Sequence, residues 1–110
     1  MSKLSLLIPS FNDALILETL LELESFPRSH LEVVVQDGGS PSDIISQVKG
    51  LLQSSDKLIV ESDDGIFDAI NKGIEKCSGD YILTIGTDDF IEKKSLDLIL
   101  NMLKGDFKKI

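Results

Sequence analysis

Four apolar runs of strand length alternate along this chain with four stretches of helical periodicity, and few folds accept that order. Lys3–Pro9 reads as a strand, with Leu4, Leu6, Leu7 and Ile8 nearly continuous, as expected when both faces are covered. Ala14–Ser25 follows as a helix that Asn12 or Asp13 can cap, with Ile16, Leu20 and Leu23 at helical spacing, and Phe26-Pro27-Arg28 breaks it. Leu31–Gln36, carrying Val33, Val34 and Val35, is a second buried strand. Ser40-Pro41-Ser42-Asp43 then offers a cap, a proline at the first helical position and an acid at the third. That helix runs to Gln53, with Ile44, Ile45, Val48, Leu51 and Leu52 inward. Leu58–Glu61 is a short third strand. Ile66–Cys77 is helical, with Ile66, Ile70, Ile74 and Cys77 on one stripe. Gly73 inside it costs about 1 kcal/mol against alanine and so implies a close approach. Tyr81–Gly86 is the fourth strand, and Lys93–Leu103 the last helix, with Leu96, Ile99, Leu100 and Leu103 inward. The pattern predicts a three-layer α/β/α fold, a mainly parallel sheet with helices on both faces.

The 110 residues suit one domain, 1–110, with an apolar content of 42% that supports a real core. A net charge of −8 excludes non-specific nucleic-acid binding, which depends on cationic contacts to phosphate. Cys77 is the only cysteine, so no internal disulfide forms; it reads as a buried thiol in a reducing compartment. No run approaches the ~20 apolar residues of a membrane span. The opening MSKLSLLIPSF is too briefly apolar for a signal peptide, so a cytoplasmic location is expected, peripheral at most to the inner face of the membrane. His30 has no acidic or nucleophilic neighbour in sequence and reads as a surface residue before a strand.

The second, third and fourth strands each deliver acids just past their carboxyl ends: Asp37, then Asp63 and Asp64, then Asp88 and Asp89. In an open α/β sheet that edge faces the ligand crevice, and one crevice would collect them all. An acidic crevice repels a diphosphate by roughly 4 kcal/mol per charge pair at ~4 Å and an effective dielectric near 20. A divalent cation reverses the sign by bridging carboxylate to phosphate. Each acid also has a plain structural use. Asp89-Phe90-Ile91-Glu92 can be a capping box, Asp37 a turn residue before Gly38-Gly39, and Asp68 an ion-pair partner of Lys72 on the face that also holds Asn71 and Glu75. GxxxxGK[ST], GxGxxG after the first strand and GxSxG are all absent from the sequence, which removes support for Walker-type nucleotidases, kinases, classical dinucleotide enzymes and serine hydrolases.

Four stretches in order resemble the N-terminal half of a family 2 glycosyltransferase with the GT-A fold. LSLLIPSFND is similar to the family's opening strand and loop, I-P-[ST]-[YF]-N, and VVVQDGGSPSD to its V-D-[GD]-[GS]-S-x-D segment. ESDDGIFDAINKGIEKCSGDYILTIGTDD is similar to the long block D-x-G-[IV]-[YF]-D-A-x-N-x-G-[IV]…G-x-[YF]-[IL]…D-D. The resemblance implies a sheet order starting 3-2-1-4, with the switch point between the first and fourth strands. It also implies that Pro9, Ser10 and Asn12 line the nucleoside pocket and that Asp37 hydrogen-bonds the base. Asn71 and the Asp63–Gly65 turn, Asp64 included, would shape the ribose and sugar side. Asp88 and Asp89 match the DXD-type motif, with Asp89 a metal ligand for Mg²⁺ or Mn²⁺ and Asp88 nearer the ribose and phosphates.

The implied reaction is inverting transfer of a sugar from a nucleotide-diphospho-sugar of UDP or GDP type to a hydroxyl of a carbohydrate or lipid-linked acceptor. The family's catalytic base lies well downstream of its DXD-type motif, so no catalytic residue is expected here, and these residues would be limited to donor binding. Exposed sheet surface would then favour self-association. Two positions depart from the pattern: Asp64 stands where relatives with D-[KR]-G carry a cation, and Gly86-Thr87 replaces a further acid. Two other readings compete, a non-catalytic α/β binding module and a receiver-like signalling domain. The second would need an acid pair after the first strand, where Pro9-Ser10-Phe11-Asn12 stands.

Overall fold

A computed structural model describes residues 2–89 and 92–103, and its elements alternate without exception. They are β1 (Leu4–Ser10), α1 (Leu15–Leu23), β2 (Leu31–Asp37), α2 (Ser42–Leu51), β3 (Lys57–Val60), α3 (Ile66–Ile74), β4 (Tyr81–Thr84) and α4 (Lys93–Leu103). The strands form one parallel sheet in the order β3-β2-β1-β4. That is the expected order. A receiver-type, flavodoxin-like sheet places β1 between β2 and β3. Here β1 lies between β2 and β4, and β3 pairs with β2 instead, which removes the receiver reading.

The period-two alternation of the strands sorts their residues onto two unlike faces. Leu4, Leu6 and Ile8 of β1 and Leu31, Val33 and Val35 of β2 join Ile16, Leu20 and Leu23 of α1, Val48 of α2, and Leu96 and Leu100 of α4 in one core. The opposite face is covered by α3, which packs on β1 and β2 through the buried Ala69 and Gly73. A Cβ at Gly73 would run into both methyl carbons of Leu7 and crowd Gln36. Close approach, rather than a turn, is therefore why glycine sits inside this helix. The apolar stripe read along this segment is corrected: Ile66 and Ile74 are exposed, and small residues make the contact instead. Two boundary expectations also shift. Pro41 is the N-cap of α2 rather than its first helical residue, and no side chain caps that helix, because the Ser40 hydroxyl is engaged elsewhere. The capping box read over Asp89–Glu92 falls partly on residues outside those described.

Under the start of α3's return to β4 lies a buried carboxylate. Glu32 Oε2 accepts hydrogen bonds from Ser78 N at 2.6 Å, Ser78 Oγ at 3.0 Å and Ser5 Oγ at 2.5 Å. Lys57 Nζ stands 3.3 Å and Lys3 Nζ 3.6 Å from its Oε1. Burial alone would raise this acid, but the bonds from Ser5, Ser78 and Lys57 outweigh it and hold the carboxyl at about 2. A second buried pair anchors the amino end of the sheet. Arg28 binds Asp56 through Nε at 2.9 Å and Nη2 at 3.1 Å, while Asp56 also accepts from Val33 N and Gln53 N.

Two outcomes test this packing. A Gly73→Ala variant should lose about 1–3 kcal/mol in urea unfolding, because overpacking against Leu7 outweighs the gain in helix propensity. The folded Glu32 carboxyl is depressed, so its contribution is present above the ordinary value of 4.5 and lost as pH falls toward about 2. Urea midpoints at pH 6 and pH 3 should therefore differ less in Glu32→Gln than in the unmodified chain.

Candidate functional site

A crevice opens because β1 has unequal partners at its carboxyl end. Its pairing with β2 continues to Ser10↔Asp37, but its pairing with β4 stops at Leu7↔Thr84, after which Ile85 N donates to Leu7 O at 3.0 Å. Pro9 is the next residue whose N–H would face β4, and proline has none. Residues Ile8 to Ser10 are thus left open on the β4 side, at the point where the strand order reverses.

Two adjoining cavities occupy that crevice, where the sequence suggested one. The first, about 260 Å³, has Pro9, Ser10, Phe11 and Asp13 on one side, Asp63, Gly65, Ile66 and Ala69 on another, and Thr87 as its boundary. Ser10 is 7% exposed, and its Oγ is buried without a hydrogen-bond partner among the described residues. Asp63 Oδ1 accepts from Gly65 N at 2.9 Å, and Gly65 adopts φ 112°, a left-handed value that favours glycine. The second cavity, about 200 Å³, lies between α1 and the segment after β4. Asp88, Asp89 and again Thr87 line it, opposite Thr19, Glu18 and Glu22.

Asp37 lines neither cavity. It is 1% exposed, and its Oδ2 accepts from Gly39 N at 2.8 Å and Ser40 N at 2.6 Å, while Oδ1 accepts from Ser40 Oγ at 2.6 Å. Ser40 Oγ in turn accepts from Asn12 N at 2.8 Å, and Asn12 takes a left-handed φ of 47°. This relay ties the loop after β2 to the loop after β1. Asp64 and Asn71 are exposed and also stand outside both cavities. Asp64 N donates to Asp68 Oδ2 at 2.8 Å, and that bond first, with Lys72 at 3.0 Å second, holds the Asp68 carboxyl below its ordinary value. The i,i+4 pair expected between Asp68 and Lys72 is therefore formed.

The acid pair folds back on Gly86. Asp89 Oδ2 accepts from Gly86 N at 2.7 Å, and a Cβ built on Gly86 would lie 3.0 Å from Asp88 Oδ1 and 3.3 Å from Asp89 Oδ2. Two carboxylates converging on the space a side chain would fill suit a hard divalent cation, which takes six or more oxygen ligands. Among the described residues no group of three or more acids, histidines or cysteines is placed to hold a metal. The remaining ligands would then come from phosphate and water. Among the described residues, no cationic side chain lines either cavity.

Reading the sequence missed Phe11, Asp13, Ser40 and Thr87. Phe11 and Asp13 flank residues that were named, but the meeting of Asp13 with Thr87 spans 74 positions and left no local signal.

The model for glycosyl transferase family 2 matches residues 5–110. A PGL/p-HBAD biosynthesis glycosyltransferase of Mycobacterium bovis is 31% identical over 91 residues, covering 77% of this chain and 35% of the relative. A GalNAc(5)-diNAcBac-PP-undecaprenol beta-1,3-glucosyltransferase of Campylobacter jejuni is 27% identical over 105 residues, 91% of this chain and 34% of the relative. The chain thus spans about a third of the length of these curated relatives. Among solved structures, the mannosyltransferase PcManGT from Pyrobaculum calidifontis, in complex with GDP-Man and Mn²⁺, superposes with a TM-score of 0.74 at 24% identity, over 94% of this chain and 32% of that one. S. aureus TarS superposes with a TM-score of 0.69 at 25% identity, over 94% and 20%. These neighbours are GT-A transferases, and the strand order found here is the one expected of that fold. Family model, relatives and sheet topology agree: this chain belongs to glycosyl transferase family 2.

Proposed function

We propose that residues 1–110 are the nucleotide-diphospho-sugar-binding part of a metal-dependent, inverting glycosyltransferase. The donor is of UDP or GDP type, and the acceptor is a carbohydrate or lipid-linked hydroxyl, as polysaccharide assembly requires. The observation that carries this reading is Ser10 Oγ, a buried hydroxyl without a partner in a cavity at the strand-order switch. A buried polar atom left unpaired costs about 1–3 kcal/mol, and a ligand that pairs it recovers that cost.

In this reading the nucleoside enters between Pro9, Ser10 and the Asp63–Gly65 turn, with the Asn12 loop held in place by the Ser40 relay. Asp37 is fixed by three hydrogen bonds, which leaves one of its roughly four acceptor sites for a base N–H. Asp64 and Asn71, on the exposed rim, face the sugar side of the donor. Asp89 is the metal ligand and Asp88 the partner nearer the ribose and phosphates. When bound, Mg²⁺ or Mn²⁺ supplies Lewis-acid stabilisation of the departing nucleoside diphosphate. The chain's own acids would otherwise repel that diphosphate. Acceptor deprotonation is assigned to none of these residues. Cytoplasmic placement, at or near the inner face of a membrane, follows from the nucleotide-sugar donor; no helix among the described residues is long and apolar enough to cross a bilayer.

Calorimetric titration of UDP and GDP with and without Mn²⁺ checks the reading and identifies the base. Binding should require the metal, Asp89→Ala should abolish that requirement together with the affinity, and Ser10→Ala should weaken binding about fivefold. Failure of both nucleotides to bind in the presence of Mn²⁺, or binding indifferent to it, would refute the assignment.

A further inference from the structure

The segment Gly86–Asp89 carries the acid pair, yet little of the sheet holds it. β4 ends at Thr84, and Ile85 N makes the last backbone bond to β1. Within the segment, Asp89 N donates to Gly86 O at 3.1 Å and Gly86 N donates to Asp89 Oδ2, bonds that shape the turn without fixing where it points. Among the described residues, its hydrogen bonds to the rest of the chain all pass through Thr87. The Thr87 hydroxyl donates to Asp13 Oδ2 at 2.6 Å, and the Thr87 carbonyl accepts from Thr19 Oγ1 at 3.1 Å. Asp13 is itself anchored, since its Oδ1 accepts from Leu15 N at 3.0 Å in the first turn of α1. Thr87 is also the residue common to both cavities, so this contact is the wall between them.

We propose that Asp13 and Thr87 are positioning residues: their hydrogen bond clamps the Asp88–Asp89 turn to α1 and so sets the metal-dependent affinity for a nucleoside diphosphate. The inference rests on the donor-site reading above and adds to it the device that aims the acids. Three features favour this role over simple helix capping. The cap needs only Asp13 Oδ1, whereas Oδ2 is given wholly to Thr87. A hydrogen bond to a carboxylate is roughly twice as strong as one between neutral groups, which suits a single-point restraint. The Thr87 hydroxyl is also the main reason the Asp13 carboxyl is held below its ordinary value, with Leu15 N second. A carboxylate at position 87 would instead oppose Asp13 and push the turn away.

The test compares the unmodified chain with Thr87→Val, which keeps the shape and removes the hydroxyl, and Thr87→Ser, which restores it. Calorimetry uses UDP and GDP with Mn²⁺, and uridine and guanosine without metal; thermal melting monitors the fold. Thr87→Val should bind the preferred nucleoside diphosphate with Mn²⁺ about tenfold more weakly, with free-nucleoside affinity unchanged and Thr87→Ser within about twofold of the original. The Asp13 carboxyl, followed by NMR, should titrate nearer its ordinary value in Thr87→Val. Unchanged metal-dependent binding in Thr87→Val would overturn the clamp alone, as would an equal loss for nucleoside and nucleoside diphosphate. If the unmodified chain binds neither nucleotide, the donor-site reading falls and the clamp's role with it.

Discussion

β1 is hydrogen-bonded on both edges, and the rest of the molecule is arranged by where those two ladders end. The β2 ladder reaches Ser10, while the β4 ladder stops at Leu7, one step short of the proline that lacks the next donor. Had both run to the same level, the crevice would be closed by backbone. The stagger exposes Pro9 and Ser10 to a cavity while keeping the strand itself fully buried, which gives the site a rigid floor. The crevice depends on a missing N–H as much as on any side chain present.

The two faces of the sheet are stabilised by different means. On the α1, α2 and α4 side, branched aliphatic residues of β1 and β2, flanked by the partly buried Leu58 of β3 and Leu83 of β4, make an ordinary apolar core. On the α3 side, Gly73 lets a helix sit directly on Leu7, and Glu32 replaces apolar contact with bonds to Ser5 and Ser78. A buried carboxylate is costly unless charge and hydrogen bonds compensate it. Here Oε2 takes the bonds, while Oε1 has no hydrogen-bond partner among the described residues and is offset by the charges of Lys3 and Lys57. Because Ser78 belongs to the turn before β4, the same network seats the strand whose far end carries the acid pair.

Much of the architecture was legible in the sequence because it rests on short-range regularities. The valine run of β2, the spacing of Leu96, Ile99, Leu100 and Leu103, and the strand-to-acid transitions each declare themselves within a dozen residues. Pro9, Ser10, Asp63 and Gly65, named through the family resemblance, line the first cavity. What resisted reading was pairing between distant segments. Nothing near Asn12 says that its N–H will be taken by Ser40, nothing near Glu32 foretells Ser78, and α3's isoleucines suggest a buried stripe that the small residues beside them supply instead. Asp64, in the turn before α3, and Asn71, on that helix, are exposed and line neither cavity, so only the family resemblance names them.

Charge is distributed unevenly along the strands. At their amino ends Lys3 and Lys57 are matched with Glu32, and Arg28 with Asp56. At their carboxyl ends Asp13, Asp63, Asp88 and Asp89 line the two cavities with no lysine or arginine beside them among the described residues. The resulting potential is lopsided, negative over the crevice mouth, and such fields act on approaching ions well before contact. Free phosphates are turned away there and small cations are drawn in. On the donor-site reading proposed above, a nucleoside diphosphate would meet least resistance when it arrives already neutralised by a cation, a selection made at the stage of diffusion.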